Sequence, residues 1–293
     1  MLTKNPARVD APSVGVAKLP IALPDPISAP PFQPALTLPD SGRTRLVLLC
    51  DHARNSLPRA YGDLGLPHSA FERHIAYDIG AENVTRRLAA LTGAPAVMAG
   101  FSRLLIDPNR GEDDPTLVMR ISDGALIPGN ARIGPEEIAR RIELFWRPYR
   151  AACAKTIAQI EARGEIPVIL NVHSFTPCLQ GRARPWAAGL LWDKDPRLAL
   201  PLCEALRGEG LVVGDNEPYD GALIGDTLYE LSTRPGLPGA LIEIRQDLLA
   251  TEDQCAAWAE RLARLLPSIL ARPELSRREF FGSRADPAPT PGR

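Results

Sequence analysis

The chain has 293 residues, 45% of them apolar, and a formal charge of −1 from 34 basic and 35 acidic side chains. This length and apolar fraction suit one large core. The near-neutral balance argues against nucleic acid or an anionic membrane as a partner held by bulk charge. Cys50, Cys153, Cys178, Cys203 and Cys255 are scattered, with no CxxC pair or disulfide framework, so a reducing cytoplasm is expected. No apolar run approaches the roughly 18 residues that a membrane-spanning helix needs.

Prolines recur from Pro6 to Pro39 too densely for helix or a central strand, and the segment lacks the charged start and continuous apolar core of a secretion signal. Residues 1–42 therefore read as an arm, either disordered or laid extended over the domain. Val14, Leu19, Ile21, Leu23 and Phe32 favour partial docking. The arm could cover a site or join a dimer interface, so a homo-oligomer stays open.

Residues 43–275 alternate strand and helix signals. Arg45–Cys50 (RLVLLC) is an apolar run of the kind buried on both faces of a sheet. Asp78–Leu91 carries helical spacing and stops at Gly93. Ala96–Gly100 and Leu104–Ile106 are predicted as short strands. Pro135 opens a long helical stretch to Arg163. Pro167–Val172 (PVILNV) is a second buried strand, followed by strands over Ala188–Trp192, Leu211–Val213 and Ala240–Ile244. Helices are expected over Arg197–Arg207 and Glu252–Ala271. The alternation predicts a single α/β domain on a mixed, largely parallel sheet flanked by helices. The Pro-, Gly- and Arg-rich residues 276–293 read as a disordered tail.

Functional groups in open α/β sheets gather at the carboxyl ends of strands. The chain has four histidines, and His52 and His173 directly follow the two clearest buried strands. A lone histidine is usually structural, but two at equivalent strand ends suggest shared metal ligands, because neutral imidazole donates a nitrogen lone pair in a fixed geometry. His68 and His74 fall in a loop and are read as solvated or supporting. A third ligand is needed: Asp78 is favoured, against its alternative as a helix cap, and Asn55 is the rival. Asp51 is placed to orient His52. Cys50 reads as a buried structural thiol rather than a nucleophile.

Glu243 interrupts the apolar strand ALIEI, with Arg245 on the same face two residues on. Either the two form an ion pair, or Glu243 is a general base beside the metal; the second is preferred because a buried glutamate is costly unless it has a task. The segment SRLLIDPNRGEDD supplies Arg103, Asp107, Asn109 and Arg110, able to clamp a carboxylate.

The stretches CDHARNSLP, YDIGA, FSRLLIDPNR, FWRPYR, NVHSFTP, GDNEPYDG and LIEIRQDLL, in this order over residues 45–250, resemble the N-formylglutamate amidohydrolase family, and its divergent branch more than the branch nearest histidine degradation. The resemblance implies a zinc-carboxypeptidase-like fold and hydrolysis of the amide bond of a small carboxylate-bearing N-acyl amino acid. It implies zinc, or another divalent metal, on His52, Asp78 and His173. By the same resemblance Glu243 and Arg103 are catalytic, Arg103 as a second anion contact or carbonyl polariser, and Asn109 and Arg110 bind the substrate carboxylate. Arg245, Ser174 and Tyr219 are further candidates for substrate binding. Two departures stand out. Asn171 occupies a position where relatives in the histidine pathway tend to carry aspartate, and no histidine follows NEPYDG, where Tyr219 or Tyr229 is the candidate replacement. The competing readings are a deacylase or peptidase of other specificity and a non-catalytic anion-binding protein.

Overall fold

The computed structural model describes residues 32–286. In chain order they form β1 (Ala35–Leu38), β2 (Leu46–Cys50), α1 (Ala81–Thr92), β3 (Ala96–Ala99), α2 (Pro135–Arg141), a π-helical turn (Ile142–Trp146), α3 (Arg147–Glu161), β4 (Val168–Phe175), β5 (Ala188–Leu191), α4 (Ala199–Gly208), β6 (Val213–Asp215), β7 (Gly239–Arg245) and α5 (Glu252–Leu270). No helix among the described residues is long and apolar enough to cross a membrane.

The strands form one sheet in the order β1-β3-β2-β4-β7-β5-β6. β3, β2, β4 and β7 run parallel, while β1 is antiparallel to β3, β5 is antiparallel to β7, and β6 is parallel to β5. Helices cover both faces, which explains the unbroken apolar runs of the central strands. Leu46, Leu48 and Cys50 pack with Leu88 of α1, Leu202 of α4 and Leu262 of α5, whereas Val47 and Leu49 pack with Phe145, Tyr149 and Ile157 on the other side. The same alternation in β4 sends Val168, Leu170 and Val172 to the first core, leaving Asn171 and His173 on the opposite face with Ile169.

Several expectations require correction. Leu104–Ile106 is a buried turn rather than a strand. The helix after β2 begins at Ala81, behind a left-handed Gly80, so Asp78 is free of the capping role. The helix expected over 135–163 is interrupted by the π-helical turn. Part of the arm is a strand: Ala35–Leu38 pairs with β3 at the sheet edge, where flanking prolines are tolerated, and Phe32 meets Phe145 edge-on at 5.9 Å. Val14, Leu19, Ile21 and Leu23 lie outside the described residues. Residues 276–286, read as tail, fold back instead. The Arg284 guanidinium forks onto Asp220, and its backbone N–H donates to Asp193 at 2.8 Å.

Strand register sets His173 of β4 beside Glu243 of β7, Glu243 beside Gly189 of β5, and Gly189 beside Gly214 of β6. These four residues make a row across one face. The two glycines leave half of the row without side chains, and the chain after β6 folds over that gap. A Cβ at Gly189 would lie 1.8 Å from the Glu217 carbonyl oxygen, and one at Gly214 would lie 2.7 Å from the same atom. Glycine is therefore required for the loop to press on the sheet and return Tyr219 toward β7. Gly189→Ala is expected to cost about 1–3 kcal/mol by overpacking. Gly208→Ala, in a helix with nothing within 4 Å of the new Cβ, should be neutral or gain up to about 1 kcal/mol. Urea unfolding of the two variants checks the contrast, and equal midpoints would refute the packing argument.

Candidate active site

His52 leaves the end of β2, and its carbonyl accepts the Asp78 N–H at 2.8 Å, which ties the intervening loop to the strand end. The Asp78 carboxylate thereby reaches both imidazoles: Oδ2 lies 2.9 Å from His173 Nδ1 and 3.4 Å from His52 Nδ1. One ligand atom from each of the three residues falls within 4.8 Å of the others, and all three are buried. The rings meet edge to face with centroids 4.8 Å apart.

The outer nitrogens are held by carboxylates. His52 Nε2 is 2.7 Å from Asp107 Oδ1, and His173 Nε2 is 3.2 Å from Asp51 Oδ2. Asp107 also accepts from Arg103 Nη2 at 2.7 Å and from the Asn109 N–H at 2.9 Å. Asp51 accepts from Tyr149 Oη at 2.7 Å, Thr227 Oγ1 at 2.9 Å and the Asn171 amide. Asp51 thus orients His173 rather than His52, because adjacent residues leaving a strand point to opposite sides. Asn171 finds its role as a donor to Asp51.

This donor set fits a divalent cation. His52 Nδ1 is buried with no hydrogen-bond partner and faces Asp78. Fixing each ring through its outer nitrogen is the arrangement metal-ligating histidines use. Burial works against ionisation of Asp51, yet its bond to His173 and the charges around it lower it to about 2; Asp78 and Asp107 are likewise held well below the carboxylate range. Asp51 and Asp78 in turn overcome burial to raise His173 to about 10, so negative charge converges where a cation would sit.

Beside the cluster, a cavity of about 240 Å³ is lined by Arg103, Asn109, Arg110, Ser174, Tyr219, Asp226 and Glu243 as well as the three cluster residues. Burial pushes the Glu243 carboxyl up to about 7, partly opposed by His173, and its Oε2 has no partner. Arg103 Nε is also buried without one. A larger, more open groove of about 800 Å³ adjoins at Leu223, lined by Trp146, Ile224 and Arg234, and excludes both imidazoles.

The N-formylglutamate amidohydrolase family model matches residues 44–250. The chain belongs to that family. It is a hydrolase of amide bonds. Its fold is similar to the crystal structure of a gene product from Agrobacterium tumefaciens, with 33% identity, a TM-score of 0.78, and coverage of 82% of this chain and 95% of the other. It is also similar to N-formylglutamate amidohydrolase from Ralstonia eutropha JMP134, at 23% identity, TM-score 0.64, and coverage of 84% and 98%. No curated protein matches the chain.

Within this amidohydrolase the remaining candidates divide. Ser174 lines the cavity, but its N–H donates to Asp78 Oδ2 at 3.2 Å and its hydroxyl to the Ile79 carbonyl at 2.8 Å, so it steadies Asp78. Arg245 is not at the cavity and makes no pair with Glu243. It binds Asp247 at 2.8 Å and the carbonyls of residues 184–186, because β7 has by then run past the cluster. Asn55 donates to the Phe71 carbonyl at 2.7 Å, outside the cluster. His68 is exposed, and His74 is also outside. Cys50 is buried with its thiol pushed up by that burial, which is not a nucleophile's setting. Tyr229 bonds Asp286 at 3.1 Å and does not line the cavity.

Sequence reasoning missed Tyr149 and Thr227 as holders of Asp51, and Asp226, a cavity carboxyl that burial pushes up to about 7. Only the GDT in the segment after NEPYDG hinted at the last. If Asp51 and Asp107 orient the ligand imidazoles, Asp107→Asn and Asp51→Asn each weaken binding of zinc by about 10–100-fold, measured by competition with a chelating dye. Unchanged affinity in both would remove this role.

Proposed function

We propose that the chain hydrolyses the amide bond of a small N-acyl amino acid bearing a carboxylate, with N-formylglutamate as the reference substrate. His52, Asp78 and His173 would hold the divalent cation, with zinc the first candidate for their mixed nitrogen and oxygen donors. The carrying observation is Glu243: a buried carboxyl, with a partnerless oxygen, in register with His173 beside the ligand cluster. Family membership and the orphaned His52 nitrogen support the same reading.

A cation bound there supplies Lewis acidity, polarising the amide carbonyl and lowering the pKa of a water molecule. Glu243 accepts the proton that water loses on attack, and a raised pKa suits that exchange near neutrality. It then delivers the proton to the leaving nitrogen, giving the free carboxylic acid and the amine. Arg103 stands 3.8 Å from Asp78 through Nη1, and its unpartnered Nε is a donor for the developing oxyanion. Asn109 has its side-chain oxygen held by the Thr227 N–H at 3.1 Å, which leaves its NH2 group for the substrate. With Arg110, that group binds the amino-acid carboxylate. A cavity of about 240 Å³ suits a substrate of this size rather than a polymer.

A panel of N-formyl and N-acetyl amino acids, assayed with and without added zinc, tests the reading; no hydrolysis of any member would defeat it. Glu243→Gln should lower kcat about 10²–10⁴-fold while retaining bound metal. The base works deprotonated, so the wild-type rate falls as pH drops through the Glu243 value, which burial raises to about 7 and a bound cation would lower. That acid limb should vanish in Glu243→Gln. Near-normal turnover of this variant would show that another group takes the proton.

A further inference from the structure

Residues 276–286 are anchored to the domain and then run to the cavity. Arg197 donates to the Arg277 carbonyl at 2.6 Å and to the Glu274 carbonyl at 3.1 Å, and lies 5.3 Å from the centre of the Phe281 ring. The Glu279 N–H bonds the Gly236 carbonyl at 2.9 Å. The Ser283 N–H donates to Asp286 at 3.0 Å, and Asp286 takes the Tyr229 hydroxyl at 3.1 Å. Arg284 is thereby delivered to the loops that bound the cavity. Its Nη1 and Nη2 donate to the two carboxylate oxygens of Asp220 at 3.0 and 2.7 Å. Nη2 also reaches the Trp192 carbonyl at 2.6 Å, and Nε the Asp193 carbonyl at 3.2 Å.

Asp220 gives this contact a consequence. It lines the cavity together with Tyr219 and Gly221, yet its side chain is 59% exposed, so it stands at the mouth. The other acids of the lining, Asp78, Asp226 and Glu243, are buried. Among the described residues, the one ion pair Asp220 makes is with Arg284. A carboxylate approaching Arg103, Asn109 and Arg110 would meet an uncompensated negative charge there if Arg284 were absent. An ion pair this exposed contributes little to folding. At the mouth of a cleft, where low-dielectric walls focus the field, the same neutralisation has more effect on an entering anion.

We propose that Arg284 is a positioning residue that acts through Asp220: it holds and neutralises the carboxylate at the cavity mouth, and so sets the preference of the site for anionic over neutral substrates. Arg284 does not itself line the cavity, and its effect is exerted on the charge an entering ligand meets. The C-terminal segment thus contributes to substrate selection from outside the site. The inference rests on the proposed amide hydrolysis for its substrates, but binding alone also tests it.

N-formylnorvaline and N-formylnorvalinamide differ as substrates only in the charged group. In Arg284→Gln the KM of the anion should rise about 3–30-fold, the span between solvent-like and protein-like screening of one nearby charge. Its kcat should hold, the KM of the neutral amide should stay near the wild-type value, and the loss should shrink in about 0.5 M salt. Arg284→Lys, which keeps the charge, should remain close to wild type. The double variant Asp220→Asn with Arg284→Gln leaves no charge unbalanced and should recover the wild-type KM for the anion. A latch that only held the loop would impair both substrates alike and would gain nothing from Asp220→Asn. That pattern overturns the proposal, as does an unchanged KM in Arg284→Gln, a loss in Arg284→Lys equal to that in Arg284→Gln, or failure of Arg284→Gln to fold. Where the amide is too poor a substrate to measure, recovery in the double variant decides. If the wild type hydrolyses no N-acyl amino acid, the proposed function fails by itself, and calorimetric binding of pentanoate replaces KM. Weaker binding in Arg284→Gln that the double variant restores supports the inference; no binding by wild type, equal binding by all three proteins, or no restoration overturns it.

Discussion

Two imidazoles alternate with three buried carboxylates in the order Asp51, His173, Asp78, His52, Asp107, and the surrounding fold is arranged to make that alternation bearable. Buried carboxylates are costly unless every lone pair finds a donor or a cation. Asp51 is supplied by helix α3 through Tyr149, by β4 through Asn171 and by the 226–227 loop through Thr227. Asp107 draws on Arg103 and on a backbone N–H. Asp78 alone has an oxygen facing both ring nitrogens, and this is where the three residues could hold a cation. Losing any of these donors would disturb a ring rather than merely a surface contact.

The outline of this arrangement is legible in the sequence because burial is legible. Runs such as LVLLC and VILNV mark strands covered on both faces, so a histidine or glutamate at their ends stands out against its neighbours. His52, His173 and Glu243 follow from that contrast. The alternation of the sheet then gives their common face. The edge strand β1 escaped for the opposite reason: its short ALTL run lies between prolines, and the pairing that makes it a strand comes from β3, far along the chain.

What stayed hidden depends on pairings that local pattern does not encode. Asp51 and His52 are neighbours, and proximity in sequence suggests that one orients the other; leaving a strand, they diverge, and each finds its partner on another segment. Arg245 shares a face with Glu243, yet its register partner is Phe175, beyond the ligands, so it serves Asp247 and nearby carbonyls instead. The family resemblance could supply the ligand set, but not the exchange of orienting acids.

Under the proposed function the sheet would divide chemistry from recognition. The parallel strands β2, β4 and β7 carry His52, His173 and Glu243 at or near their ends, where strand hydrogen bonds fix the spacing. The groups fit to read a substrate sit on loops from either flank, and these loops are not independent. Arg150 joins Pro108, on the β3 side, to Gly225 and Asp226, and the Thr227 N–H closes the same junction onto Asn109. Thr227 also donates to Asp51, so the Asn109 side is tied through one residue to the acid beside His173. On the other flank Arg184 is tied to β4 by stacking on Phe175, two residues beyond His173, and Tyr219 is tied to Arg184 by a hydrogen bond of 3.0 Å. Changes around Asn109 therefore reach the Asp51–His173 pair through a chain of hydrogen bonds, whereas changes at Tyr219 and Arg184 reach β4 through ring contacts and the long bonds to Thr176.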